Sequence, residues 1–592
     1  MEQNKFKTLI LYSIIVLIGT ISVCNLTLDQ TLTFKLFIFL FGISLLTLAS
    51  SKKISINLDF INLIYFTVIV WQLSSLIFAK NKEEALFGNV KNIFGYFVFI
   101  VTIFFYDEYR QKLTNILQHC AKIISGFTFS YLVYQIVNSN KFEIYNYTGV
   151  HGHINLISSF LIILSGVILI DFKLKSINSK IVTALCLFFN ITTIIILQTR
   201  AVWIGLLIGT IISLILNINR IKNFFISKIN SDKKTITLTV IFSSIITILC
   251  MFPLHEYVKW CIKNQKNINL LRGDDLERIL LWNKTFDMIH KNSFLGVGTN
   301  NWQIYFPNET LNGIWRAEDL NVTFQRPHND LLWILSENGW IALFLYITLF
   351  FGILFKTYCK AENTENKNKY IFIGISVAFI ISSFFDFPKE RIEHIFWWNT
   401  WLGIIYCKFK LANKRIEINK SITIIVSFSI LTLCFLRLIS EINHKKMLED
   451  IQSKNSKMII ERGMNAKSII YSIDNFSYPI DWYIGKAYTE QNDINKALTH
   501  LNSGYNKAPF NRYLLNDLGV VYNKLNNQKK AIKFIKESIR ISPRFSLPKL
   551  NLCSIYLKNG ELIKAKKIEI SITKESAKRD LIREKISNFV NK

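Results

Sequence analysis

The chain has 592 residues, 51% of them hydrophobic, with 47 phenylalanines and a formal net charge of +29 at pH 7. That is more chain than one domain usually holds and more apolar side chain than a soluble enzyme can hide, so a small soluble fold is excluded. Many of the lysines sit in short loops between apolar runs, and no basic stripe interleaved with aromatics follows a nucleic-acid module, so the charge points to membrane orientation and not to nucleic acid.

The first apolar run follows Lys5 and Lys7 and lacks a small-residue cleavage site, so it is expected to stay as a first helix. Runs of about 18 or more apolar residues are long enough to span a bilayer. They predict membrane helices at 9–27, 31–50, 58–78, 90–106, 113–137, 154–171, 180–197, 201–217 and 235–252. A long polar segment follows at 253–327, and further helices are expected at 329–355, 370–387, 395–410 and 421–439. The expected fold is all-α, a polytopic membrane domain over 1–440 with about 13 transmembrane helices. A linker at 441–477 and a helical solenoid at 478–592 complete it.

Orientation follows from the loops. With the N-terminus inside, roughly 23 basic residues fall in the inner loops and about 8 in the short outer ones. Lys52, Lys53, Arg110, Lys173, Arg220, Lys356, Lys408 and Arg415 are all inner on this reading. The 253–327 loop and the C-terminal tail are then outer.

The tail repeats itself at a step of 34 residues. Gly485 and Gly519 keep it, as do Pro509 and Pro543, Ala497, Ala531 and Ala565, and Tyr488, Tyr522 and Tyr556. The pattern resembles a tetratricopeptide array, in which helix pairs need small residues where they cross and a proline between units. Two repeats run from about 478 to 545, and Cys553 replaces the glycine of a third. Such arrays hold polypeptides on a concave face and rarely catalyse. The nine cysteines are scattered, Cys261 and Cys553 included, and indicate neither a disulfide framework nor a zinc site.

The polar chemistry gathers at one junction, "FQRPHND" leading into "LLWILSENGWIALFLYI". His328 opens a membrane helix, where the helix dipole and Arg326 both disfavour a protonated ring. A neutral imidazole there can accept a proton, with Asn329 and Asp330 orienting it, although Asp330 can equally serve as a helix cap. Read blandly, His328 is an interfacial histidine at a helix start. Arg200 lies in "LQTRAVWIGL", at a tight outer turn where a lone charge is costly unless it faces a polar cavity; its bland reading is snorkelling. Arg278 lies in "DDLERILLWNKTF", where a salt bridge to Asp274 or Asp275 is the plain alternative. Arg272 and Arg316 are weaker candidates of the same kind. Converging guanidiniums suit a phosphate or diphosphate. Asp274 and Asp275 make a poor metal pair without a histidine. Trp260, Trp282, Trp302, Trp315, Trp333, Trp340, Trp397, Trp398 and Trp401 crowd the outer side, where a belt accounts for some of them, and those within the 253–327 loop could instead stack on sugar rings.

These residues resemble the signature of the O-antigen ligase and polymerase superfamily, which includes protein O-oligosaccharyltransferases. "RPHND" with Glu337 and Gly339 is similar to its histidine cluster, Gly296-Val297-Gly298 to its glycine turn, and "QTRAVWIGL" to its Ser-Arg turn, with Thr199 in place of serine. The resemblance covers roughly 150–410. It implies an inverting glycosyltransferase of the bacterial inner membrane, with its large loop and repeats in the periplasm. The donor would be a glycan on undecaprenyl pyrophosphate, held by Arg200, Arg278 and Arg326. His328 would deprotonate or align the acceptor, supported by Asn329 and Asp330, with no metal or cofactor. The acceptor would be lipid A–core, or serine and threonine of a protein, or the end of a growing polymer. "GVHGHINLI", with His151, His153 and Asn155, resembles a polar turn near the family's cavity. A lipid-linked glycan transporter and an assembly scaffold are the non-enzymatic alternatives. The first should place ionisable groups at mid-bilayer depth in several spans, and the second has no need of the loop motifs.

Overall fold

A computed structural model describes residues 2–49, 54–57, 59–138, 153–172, 176–216, 273–360, 369–409, 415–572 and 575–590. Its membrane part comprises α1 (Glu2–Ile21), α2 (Leu32–Ala49), α3 (Phe60–Phe78), α4 (Lys82–Asn138), α5 (Ile154–Leu169), α6 (Ile177–Ile196) and α7 (Arg200–Leu216). After the loop helix α8 (Gly273–Lys291) come α9 (Asp330–Lys360), α10 (Lys369–Ser383), α11 (Ile392–Lys408) and α12 (Lys420–Gln452). Among the described residues six segments are long and apolar enough to cross a membrane: Phe60–Phe78, Lys82–Tyr106, Lys112–Asn138, Ile177–Ile196, Asp330–Phe355 and Ser421–Gln452. Shorter apolar helices, Ile154–Leu169, Arg200–Leu216 and Lys369–Ser383 among them, accompany these. The span expected at 235–252 and the first part of the polar loop lie outside the described residues.

Helix ends differ from the sequence reading for local reasons. Two expected spans form the single run α4, broken only at Tyr109 (φ −130°, ψ 18°). It begins as early as Lys82 because the Asn81 side chain accepts the Glu84 N–H at 2.9 Å. α12 continues well past residue 439 because its polar end is docked. Arg437 is buried there between Glu84 (2.8 Å) and Glu441 (3.0 Å), which ties α12 to α4.

The core is built where α4, α5 and α11 meet, around Phe99, Phe160, Trp397 and Trp401. The indoles of Trp397 and Trp401 donate to Thr20 and Ser376, each at 3.0 Å. Those two tryptophans are core residues, so an interfacial belt does not account for them. α7 and α10 cross through Gly205, Gly209, Gly374 and Ala378, where a β-carbon on either α7 glycine would collide with an α10 carbonyl. Small residues let membrane helices approach this closely. Among the described residues the strands form a two-strand ladder, β1 (Ile54–Asn57) antiparallel to β2 (Arg415–Ile418), with Ile54 opposite Ile418. It joins the α2–α3 and α11–α12 connections at one end of the bundle.

Beyond α12 come α13 (Ser456–Ala466), α14 (Ile480–Glu490), α15 (Ile494–Lys507), α16 (Arg512–Lys524), α17 (Gln528–Ile541), α18 (Ser546–Lys558), α19 (Leu562–Ile570) and α20 (Ala577–Val590). From α14 to α19 the helices form consecutive pairs, with Asp493 and Asn527 capping the second helix of the first two. Gly485 meets Leu501 and Gly519 meets Ile535, so the 34-residue step recurs in the packing. These pairs rest on the large loop. Leu311 N–H donates to the Ile541 carbonyl at 2.7 Å, and Ser477 donates to Gln303 at 3.0 Å. Leu515 and Ile541 share a core with Phe306 and Ile314.

Candidate functional site

α9 is interrupted at Gly339 (φ 73°, ψ −176°), a conformation open to glycine and almost nothing else. The break receives the glycine turn of the loop. Val297 N–H donates to the Ser336 carbonyl at 3.0 Å, and Gly298 N–H to the Glu337 carbonyl at 2.8 Å. A β-carbon on Gly296 would strike the backbone of Glu337. Buried Glu337 also accepts the Trp302 N–H at 3.1 Å. Two motifs far apart in sequence are thus one structural unit, and it fixes the first turns of α9.

Those turns carry the polar cluster. Asn329 is the cap, its side chain accepting the Leu332 N–H at 2.9 Å. Asp330 is buried and instead accepts the Lys389 N–H at 3.0 Å, from the loop between α10 and α11. His328 sits in the left-handed region at φ 54°, unusual for a non-glycine residue. Strain of this kind collects at functional sites. Its Nδ1 faces Asp386 across 4.0 Å, too far for a hydrogen bond, with the His328 side chain 23% exposed. The Phe387 ring meets the imidazole edge to face at 4.9 Å. Burial, then Arg278, then Arg326 and His153 hold the His328 pKa well below the usual value. The ring is therefore neutral and able to accept a proton at neutral pH.

The arginines divide. Arg326 pairs with Glu390 and lies 4.2 Å over Phe387, so its fork is already shared with a carboxylate. Arg316 pairs with Glu277. Among the described residues the ion pairs of this region run through these two and Arg391–Asp29, and none engages Arg278. The side chains of Asp274 and Asp275, and all of Arg272, lie outside the described residues. α8, which carries Arg278, is tied to the histidine turn by Trp282, whose indole donates to the Pro327 carbonyl at 2.7 Å. Arg200 is exposed at the start of α7. The antiparallel contacts of α7 with α10 set Arg200 level with the end of α10, shortly before Asp386.

Sequence reading missed the contribution of 386–394. Asp386, Lys389, Glu390 and Arg391 complete the cluster, with Lys389 4.1 Å over the Trp333 ring and Arg391 bonded to Thr31 at 3.0 Å. The density of charge in "FDFPKERIEH", between two apolar runs, was the available signal. His153 caps α5 and places its ring 6.2 Å from Phe387, so it belongs to the same site, while His151 lies outside the described residues.

Residues 185–347 match the sequence model of the O-antigen ligase family. The match takes in Arg200, Arg278, Arg326, His328 and Glu337, and stops before Asp386 and its neighbours. O-antigen ligase similarity over this stretch implies a glycan-transferring membrane enzyme. No curated protein matches the chain at a significant level.

Proposed function

We propose that the protein transfers a glycan from a polyprenyl pyrophosphate to an acceptor hydroxyl at the outer face of the bacterial inner membrane. The observation that carries this is a neutral, strained His328 beside Arg278, a cation with no described carboxylate partner, at the mouth of an apolar helix bundle. A lipid-linked donor keeps its tail in the bilayer and its phosphates at the surface, which suits a polar cluster at the start of an apolar helix.

In the reaction the acceptor oxygen forms a bond to the anomeric carbon as the bond from that carbon to the pyrophosphate oxygen breaks, with inversion. The electron pair leaves with the pyrophosphate, and the acceptor's proton passes to His328. A proton on Nδ1, facing Asp386, leaves Nε2 as the acceptor atom. Arg278, with Arg200, meets the charge that grows on the leaving group. Arg326 can join them only by sharing its fork between Glu390 and a phosphate oxygen.

The ligase family's name suggests lipid A–core as acceptor. A polypeptide acceptor is the second reading, favoured by helix pairs of tetratricopeptide type resting on the loop that carries His328. The experiment is transfer by the purified protein from an undecaprenyl-pyrophosphate-linked glycan, offered lipid A–core and a serine-rich peptide separately. Consumption of donor without a product on either acceptor, and no dependence on His328, would reject the proposal.

A further inference from the structure

Between the large loop and the helix pairs lies a part-open pocket of about 40 Å³. Several times the roughly 10–15 Å³ that one water needs, it admits a single side chain of a bound segment. Its walls are mostly apolar and aromatic, among them Phe306, Phe324, Phe476, Phe510 and Tyr513. One charged residue lines it, Arg512, which is 5% exposed.

The surroundings leave that charge uncompensated. Arg512 donates to two neutral oxygens, Ser542 Oγ at 2.8 Å and Asn321 Oδ1 at 3.1 Å. Its guanidinium lies over the rings of Tyr513 and Phe545 at 5.1 and 5.3 Å. The acids of the adjoining loop are taken by another cation, Asp319 and Glu318 both pairing with Arg544. Among the described residues no ion pair engages Arg512. A buried cation without an anion is costly, and a bound anion removes that cost. Arg512 is also the first residue of α16, whose dipole favours an anion at that end.

Hydrogen-bonding capacity separates the possible ligands. A sugar ring brings several hydroxyls that each need a partner. Here the polar side chains are largely spent. Asn511 caps α16 through its oxygen and donates its amide to the Ser477 carbonyl, while the Ser477 hydroxyl occupies the Gln303 oxygen. What remains is an apolar chamber with one cation, which suits an apolar side chain beside a carboxylate on an extended polypeptide.

We infer that this pocket is an acceptor-docking site for a polypeptide segment that pairs an apolar or aromatic residue with an acidic one. The inference rests on the second reading above, that the acceptor is a protein. The pocket is placed for that role. Val322, Thr323 and Phe324 form one wall, and the chain then runs through Gln325 and Arg326 to His328. Gln325 also donates to the carbonyl of Asn475, next to Phe476 on the opposite wall.

The test is selection of a displayed random heptapeptide library on the full-length protein in nanodiscs, followed by affinity measurement of the enriched peptides. Enrichment of peptides carrying Asp or Glu next to Phe, Tyr, Leu or Ile is expected. Arg512→Gln should weaken their binding about tenfold or more, and Arg512→Lys should keep part of it. Phe476, 53% exposed at the rim, offers a variant with little folding risk, and Phe476→Ala should weaken binding roughly tenfold. No enrichment, enrichment indifferent to both Arg512→Gln and Phe476→Ala, or preferential binding of oligoglucuronate over every peptide would overturn the inference. His328→Ala should leave peptide binding intact while abolishing transfer. Loss of the peptide site alone would therefore leave the transferase reading standing.

Discussion

Nδ1 of His328 faces Oδ1 of Asp386 across 4.0 Å, although the two residues stand on opposite sides of two membrane helices in the chain. The carboxylate is buried, with one oxygen accepting the Phe387 N–H at 3.0 Å. In the proposed reaction it would stabilise the imidazolium formed as the ring takes the acceptor's proton. Asp386→Asn should therefore slow transfer by roughly one to three orders of magnitude. The acid limb of the pH profile should also move to lower pH, because the charge that favours protonation is gone. A slowed enzyme with an unmoved acid limb would reduce Asp386 to a structural part.

The pH dependence of the wild type follows from the sign of the shift. Burial and Arg278 disfavour the protonated ring, so its titration lies well below that of a free histidine at about 6.5. Transfer is expected to stay flat as pH falls through that region and to decline only below it. Stability follows the same sign, since the unfolded chain takes up the proton first as pH drops. Arg278→Gln removes a neighbouring positive charge and should bring the decline back toward 6.5. Rate measurements across pH on both proteins decide this.

Arg278 and Arg326 should respond differently to substitution. Arg278→Lys keeps the charge but loses the two-pronged grip, so transfer should fall at least about tenfold at a normal membrane level. Arg326→Ala leaves half-buried Glu390 without its ion-pair partner, which costs about 1–3 kcal/mol. It should lower thermal stability in detergent as well as activity. Equal melting behaviour of the two variants would show that the division of roles is wrong.

The break in α9 is open to a stability test. Gly339→Ala places a side chain where the Phe294 carbonyl stands, in a backbone region only glycine tolerates. A loss of about 1–3 kcal/mol is expected from the backbone alone, with activity falling because the glycine turn and the histidine turn shift together. Gly352→Ala, with open space around its position, is the control that should change little. A Gly339→Ala protein as stable as the control would remove the break from the account.

Much of this was legible in the sequence because it is written locally. Apolar runs marked most of the described helices, the 34-residue step marked the pairs from α14 to α19, and "FQRPHND" marked the turn where His328, Asn329 and Asp330 gather. What was not legible depends on distant packing. That Asn329 caps α9 while Asp330 reaches Lys389 depends on where the α10–α11 loop falls, and no local rule fixes that. Glu390 claims Arg326 for the same reason. Asp386 was hidden because it lies at the edge of an apolar run and reads as a helix end. The pairing of Gly296–Gly298 with Gly339 was visible as two motifs and not as one contact. Trp397 and Trp401, expected near a membrane surface, find Thr20 and Ser376 inside the bundle because helix packing brings a hydroxyl to each indole.

The central claim is that His328 takes the proton of the acceptor. The most direct measurement is transfer from a purified undecaprenyl-pyrophosphate-linked glycan by the His328→Ala protein, with donor affinity measured alongside. Transfer should fall by roughly two to four orders of magnitude, and donor should still bind, because arginines and not the imidazole hold the pyrophosphate. Near-normal transfer by a folded His328→Ala protein would contradict the account and leave His328 as a strained residue at the start of a helix.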